Sequence, residues 1–335
     1  MGDRRRWHPP SNQPERRLTI PDIKRQPAKG VKAPSSNGSV LGRATPVEDL
    51  DYEWQKVVLY GVNRIGKSVL ACQFPKPLLL ISFEPGTTGG SRSVRKIPGV
   101  EFLQIASKGD AVALARELRD PDARTPKGTR SRDIKTHVLD TTTSLQDVIG
   151  KELMGLEELP VQMNWGSVSQ DVYRERSEQA KEVMRLYRDL PAHTVFVAQE
   201  KDHNPPKTVD DKGRERTIGK LEQSYKPYQA ESFFAADMGA GTVKWMHDAC
   251  DFIVRLYAAP ETKVVTETNA VSKKVTKRTV ETGRMVRRLR TILSTNFAAG
   301  FRSENPGAVP EWIEAATPEE MYQKMQAVIR GEPIE

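Results

Sequence analysis

Four short stretches of the chain are largely apolar, and each stops abruptly at a polar or small residue. Lys56-Val57-Val58-Leu59-Tyr60 stops at Gly61, Pro77-Leu78-Leu79-Leu80-Ile81-Ser82-Phe83 at Glu84, Lys135-Thr136-His137-Val138-Leu139 at Asp140, and Thr194-Val195-Phe196-Val197-Ala198 at Gln199. Runs without polar alternation are what strands covered on both faces of a parallel sheet require. Between them, Asp110 to Leu118, Ser144 to Glu158 and Ser167 to Leu190 have helical spacing. The last places Val172, Tyr173, Val183, Leu186 and Tyr187 on one apolar face. Alternation of strand and helix predicts an α/β fold, doubly wound around a mainly parallel sheet, with any ligand at the carboxyl ends of its strands.

Beyond Gln199 the pattern changes. Glu200 to Lys244 has no period and contains Asn204-Pro205-Pro206 and Gly239-Ala240-Gly241, which predicts one long loop. Asp251 to Ala258 reads as a further strand. The β-branched, Lys/Arg-rich stretch from Lys263 to Leu293 reads as a hairpin whose last arm is Met285 to Leu293, giving an extension over about 259–293. Residues 301–335 read as a helical tail, whose helix starts with Thr317 as cap, Pro318 in the first turn and Glu320 completing a capping box. The main domain is therefore expected over 51–300. Residues 1–50, rich in Pro, Ser, Gly and Asn and without a hydrophobic period, read as a disordered tail.

Charge sharpens that division. The net charge of +8 is concentrated in residues 1–45, which hold ten Lys and Arg against three acidic residues, leaving 42 basic against 41 acidic elsewhere. Such a tail suits phosphate neutralisation on a nucleic acid or a solubilising, partner-docking arm. Cys72 and Cys250, far apart in apolar stretches, are expected as reduced core residues of a cytoplasmic protein. No apolar run approaches a membrane span, and the five histidines lack metal-site spacing.

The chemistry starts at the first strand. Gly61-Val62-Asn63-Arg64-Ile65-Gly66-Lys67-Ser68, followed by Val69, spells the phosphate-binding loop of nucleoside triphosphatases between a strand and a helix. The glycines let successive backbone N–H groups turn inward at a helix start, and Lys67 adds a point charge for β- and γ-phosphate. The Ser68 hydroxyl suits Mg²⁺, so Mg²⁺ with ATP, or with GTP as the alternative nucleotide, is the expected ligand pair. Asp140, at the end of an apolar strand, has the form of the acidic residue that holds Mg²⁺ opposite Ser68. It is followed by Thr141-Thr142-Thr143-Ser144 and not by the glutamate that many ATPases place there. Glu84 is then the candidate carboxylate for orienting the attacking water, and Gln199 the candidate amide for sensing the γ-phosphate.

The order of these signals resembles that of the RecA-like ATPases. The residues carrying it are Gly61 to Ser68, Ile81-Ser82-Phe83-Glu84-Pro85-Gly86, His137-Val138-Leu139-Asp140-Thr141 and Val195-Phe196-Val197-Ala198-Gln199-Glu200-Lys201. More narrowly they resemble the phage-encoded AAA-family ATPases of recombination and single-strand annealing, over about residues 54–258. That resemblance implies an ATPase stimulated by single-stranded DNA, a homo-oligomeric ring or filament, and a single-strand-binding protein as a further partner. It also implies DNA-facing loops, one including Asn164 and Trp165 and one after Gln199. Candidate DNA contacts in the second are Lys201, Lys220, Tyr225, Lys226 and Lys244, although that loop is electrostatically balanced and its aromatics would equally pack onto the domain. The nine basic residues between Lys263 and Arg290 fit a solvated edge ribbon, a DNA grip, or an arginine (Arg287, Arg288 or Arg290) sent to a neighbouring subunit. A nucleotide-gated annealing scaffold with little turnover is the alternative function. A small-molecule kinase fits less well, because no compact Arg-rich lid follows the phosphate loop.

Overall fold

The computed structural model describes residues 54–84, 91–156, 170–202, 234–268, 275–294 and 297–334, all within one compact unit spanning Tyr52–Glu335. The expected tail over 1–50, and the loop positions Asn164, Trp165, Lys220, Tyr225 and Lys226, lie outside the described residues.

A single sheet organises the chain. Its strands are β1 (Lys56–Gly61), β2 (Leu78–Ser82), β3 (Val100–Gln104), β4 (Thr136–Asp140), β5 (His193–Asp202), β7 (Phe252–Thr268), β8 (Val275–Arg290) and β10 (Trp312–Ala315), in the order β10-β8-β7-β1-β5-β4-β2-β3. Two short strands lie off this path, β6 (Phe234–Ala236) against β5 and β9 (Gly300–Phe301) against β7. From β3 through β7 every neighbouring pair is parallel; β8 then runs antiparallel to both β7 and β10. This is the α/β, mainly parallel, doubly wound architecture expected of a RecA-like fold.

The apolar runs are explained by burial on both faces. In β1, Val57 and Leu59 face one core while Val58 and Tyr60 face the other, and β2 divides Leu78 and Leu80 from Leu79 and Ile81 in the same way. One core packs under α3 (Lys108–Glu117), α4 (Thr142–Met154), α5 (Gln170–Arg188) and α6 (Ala240–Ala249). Within it α5 buries Ala180, Val183, Met184 and Tyr187, whose hydroxyl donates to Ala111 O at 2.8 Å; Tyr173, expected on the same face, is exposed. The other core packs under α1 (Lys67–Ala71) and α7 (Pro318–Ile329), with the four-residue α2 (Ser91–Val94) contributing Val94. Cys72 and Cys250 are buried and unbonded in different cores.

Several expectations need correction. Strand β3 was not predicted: as an edge strand it mixes Glu101 and an exposed Phe102 into its sequence, so no apolar run marks it, and the strand delivering Asp140 is the fourth in sequence. The expected loop over 200–244 is shorter. Strand β5 continues to Asp202, β6 returns alongside it, and Gly239-Ala240-Gly241, read as a break, is the cap and first turn of α6. The hairpin is a continuation of β7 itself, with a bulge between Pro260 and Thr262 where Gly283 adopts a positive φ of 79° on the facing strand. Residues 301–335 are no tail: β10 extends the sheet, and α7 packs beside α1 with Thr317 capping it as expected.

His137 on β4 has both ring nitrogens buried without a hydrogen-bond partner. Burial, reinforced by nearby Lys56, pushes its pKa down to about 3; burial also lowers His193 and His247 to about 4. A histidine held neutral in the fold takes up its proton on unfolding. Stability is therefore fully present above pH 6.5 and is lost progressively as pH falls towards the folded-state values. For His137 alone this linkage amounts to about 2 kcal/mol by pH 5. Urea unfolding midpoints between pH 8 and pH 4.5 should fall with acidity, and His137→Leu should flatten the decline without loss of stability at pH 7.5.

Candidate active site

The phosphate loop leaves β1 at the centre of the sheet, between β5 and β7. Its turn is made by Arg64, at φ 63°, and Gly66, at φ 106°, which caps the N-terminus of α1. Gly61 is packed so closely on β7 that an added Cβ would lie 2.2 Å from the Leu256 carbonyl oxygen. Lys67 is buried, and its ammonium donates to the Gly61 and Val62 carbonyls, both at 2.8 Å. Burial lowers its pKa to about 8 against the opposing pull of Asp140, Glu200 and Glu84, so the group carries its charge at neutral pH.

Asp140 receives a 2.6 Å hydrogen bond from the Ser68 hydroxyl. It does not cap α4; Thr141 does, accepting from the Ser144 N–H at 3.1 Å. The rest of the hydroxyl run ties the start of α4 to the end of β5. Thr142 Oγ1 donates to Val197 O at 3.1 Å, and Thr143 Oγ1 accepts from Gln199 N–H at 3.1 Å. Burial raises the Asp140 carboxyl to about 6; the Ser68 hydrogen bond opposes this, nearby Glu84 adds to it, and Lys67 opposes it.

These elements enclose a cleft of about 460 Å³. Asn63, Arg64, Gly66, Lys67, Ser68, Val69, Glu84, Asp140 and Gln199 all line it, so the structure brings the three strand-end residues to the phosphate loop. Gly61, Val62 and Ile65 shape the loop from outside the cleft wall. Glu84 is held by its backbone, with N–H to Ser82 Oγ at 3.3 Å and carbonyl to Gln104 Nε2 at 3.3 Å. Arg92, Ser93 and Thr141 line the cleft as well. The sequence pattern did not single them out, although Arg92 is the first cation after Glu84 and lies within α2. The geometry suits Mg²⁺: a hydroxyl and a carboxylate, both hard oxygen donors, meet at the foot of the phosphate loop, and that ion needs few protein ligands. Among the described residues no group of three or more His, Cys, Asp or Glu forms another metal site.

The positions proposed for DNA are not gathered in the same way. Lys201 is paired with Asp237 at 3.3 Å, and Lys244 lies exposed on α6. Of the hairpin arginines, Arg288 pairs with Glu314 at 2.7 Å and Arg290 with Glu311 at 2.6 Å, both on their own chain.

The sequence profile described as "AAA domain" matches residues 53–287, well over half of the chain. The protein belongs to the AAA domain family. Membership makes this AAA domain a P-loop ATPase, the class in which a cleft of this composition binds and hydrolyses nucleotide. No curated protein matches the chain in sequence. Among solved structures, the AAA domain is similar to a KaiC-like protein from the hyperthermophilic archaeon Pyrococcus horikoshii, at 10% identity and a TM-score of 0.38, covering 79% of this chain and 87% of the other. No helix among the described residues is long and apolar enough to cross a membrane.

Proposed function

We propose that the protein is a Mg²⁺-dependent ATPase that acts on single-stranded DNA in recombination, annealing or repair as a homo-oligomer, in the manner of phage-type RecA-like enzymes. The observation that carries the ATPase part is the meeting of Lys67, Glu84, Asp140 and Gln199 in one cleft. In this reading Lys67 exchanges its two backbone carbonyls for β- and γ-phosphate oxygens, and Ser68 with Asp140 would hold Mg²⁺, which would supply neutralising charge to the phosphates. Glu84 orients and deprotonates the attacking water. Gln199 hydrogen-bonds the γ-phosphate. Its own backbone is tied to Thr143 and to Asp237, so loss of that phosphate is transmitted to the paired ends of β5 and β6.

Support for DNA as the substrate comes from the order of motifs and from the sequence that follows β5. Strand β5 runs from Gln199 to Asp202 before the segment with Lys220, Tyr225 and Lys226, and cations interleaved with aromatic rings suit stacking on bases. Hydrolysis should rise severalfold with single-stranded DNA and less with duplex. Equal rates with and without DNA, together with no DNA retention at moderate salt, would remove DNA from the proposal and leave the ATPase. A strand-annealing assay separates the scaffold alternative, in which turnover is low from the start: loss of annealing in Lys67→Ala favours the nucleotide-gated scaffold, and loss of turnover alone favours the ATPase.

A further inference from the structure

We propose that Arg287 is a positioning residue for the phosphate loop, holding the Gly66 N–H turned into the cleft from behind the loop. This rests on the nucleotide-binding reading of that loop. Side chains on β8 alternate between the two faces of the sheet. Leu289 lies in the core beneath α1, opposite Ile313 of β10, and Arg287 is two residues away in register with Ala315, so it shares that face. Arg288 and Arg290 point the other way, onto Glu314, Glu311 and the rings of Trp312 and Phe297. Three arginines close in sequence therefore divide by face: two fasten the sheet edge and one reaches the loop.

The contact is specific. Arg287 Nε donates to the Ile65 carbonyl at 3.1 Å, and the same nitrogen is the nearest atom, at 3.7 Å, to where a Gly66 side chain would begin. The Ile65–Gly66 peptide is trans, so its C=O and N–H point in opposite directions within one plane. A cation fixed on the carbonyl therefore turns the N–H away from Arg287. Gly66 lines the cleft and Arg287 does not, which places that N–H on the phosphate side and the guanidinium behind it. With φ at 106°, Gly66 has the backbone freedom to rotate this peptide, so its orientation needs an outside restraint. Arg287 supplies it with a charge-assisted hydrogen bond, and leaves the interior of the cleft to Lys67.

The full-length chain with a fluorescent ADP analogue and Mg²⁺ provides the test. Arg287→Gln is expected to raise Kd about tenfold, as loss of one charge-assisted hydrogen bond implies, with kcat at saturating ATP within about twofold of wild type. Arg287→Lys, which keeps a charged donor but not the fork, should fall between them. Arg284→Gln removes an equally exposed charge from the same strand and should leave Kd unchanged. Because Arg287 is exposed, thermal unfolding without nucleotide should not change in these variants. Wild-type affinity in Arg287→Gln overturns the inference. So does a loss of kcat at unchanged Kd, which would make Arg287 a transition-state contact. Failure of the wild type itself to bind the analogue is a separate result, which removes the nucleotide-binding reading and the inference with it.

Discussion

Glu84→Gln should bind nucleotide as tightly as the wild type or slightly more tightly, while hydrolysis at saturating ATP falls by about 10²–10³-fold, within the range general-base catalysis contributes. Glu84 lines the cleft and its backbone is held by Ser82 and Gln104, so the isosteric amide leaves the main chain in place. Binding is spared because Glu84 makes no part of the loop. Its charge works against the site: it adds to the upward push on Asp140 and would repel phosphate. The other nearby carboxylate is already committed. Glu200 pairs with Arg255 through two hydrogen bonds of 2.6 and 2.8 Å on the far side of β1, and that guanidinium also lies 3.9 Å from the Phe297 ring centre. Single-turnover hydrolysis alongside equilibrium binding separates the two effects. Undiminished hydrolysis in Glu84→Gln would mean that water is activated by a group other than Glu84.

Gly61→Ala is expected to have the largest effect on the fold itself. Its Cβ would meet the Leu256 carbonyl oxygen at 2.2 Å, a backbone atom fixed by the pairing of β1 with β7, where Tyr60 faces Arg255. No side chain can rotate away to relieve the clash, so the two central strands must separate. A cost of about 3 kcal/mol is the expectation for such overpacking, lowering the unfolding midpoint by roughly 6–12 °C and abolishing nucleotide binding. Gly109→Ala is the control. That position lies in α3 with nothing nearer than Ser107 Oγ at 3.7 Å, and alanine there should be neutral or stabilising. Similar midpoints for the two variants would show that β1 and β7 can part without cost.

Which parts of this were legible in the sequence follows from how each is held. Strands β1, β2, β4 and β5 are covered on both faces, so burial selects largely apolar runs without polar alternation and their ends stand out. Glu84, Asp140 and Gln199 are therefore found by looking where those runs stop. Strand β3 faces a neighbour on one side only, and its Val100-Glu101-Phe102-Leu103-Gln104 carries no period. Helix α6 starts at glycines whose ordinary meaning is a break, yet Thr242 and Val243 both bond back to Gly239 and close its first turn. The hydroxyls after Asp140 stand where many ATPases place a glutamate; in the structure Thr142 and Thr143 join helix to strand while Thr141 caps the helix. Arg287 was visible only as one of several basic residues, because its role depends on which face of β8 it occupies.

The pairing of Asp202 with Phe234 has a further consequence. It fixes the ends of β5 and β6 against each other, three residues along β5 from Gln199. A ligand bound at those paired ends would be tethered to the cleft, and its next encounter with the nucleotide site would no longer depend on its concentration in solution.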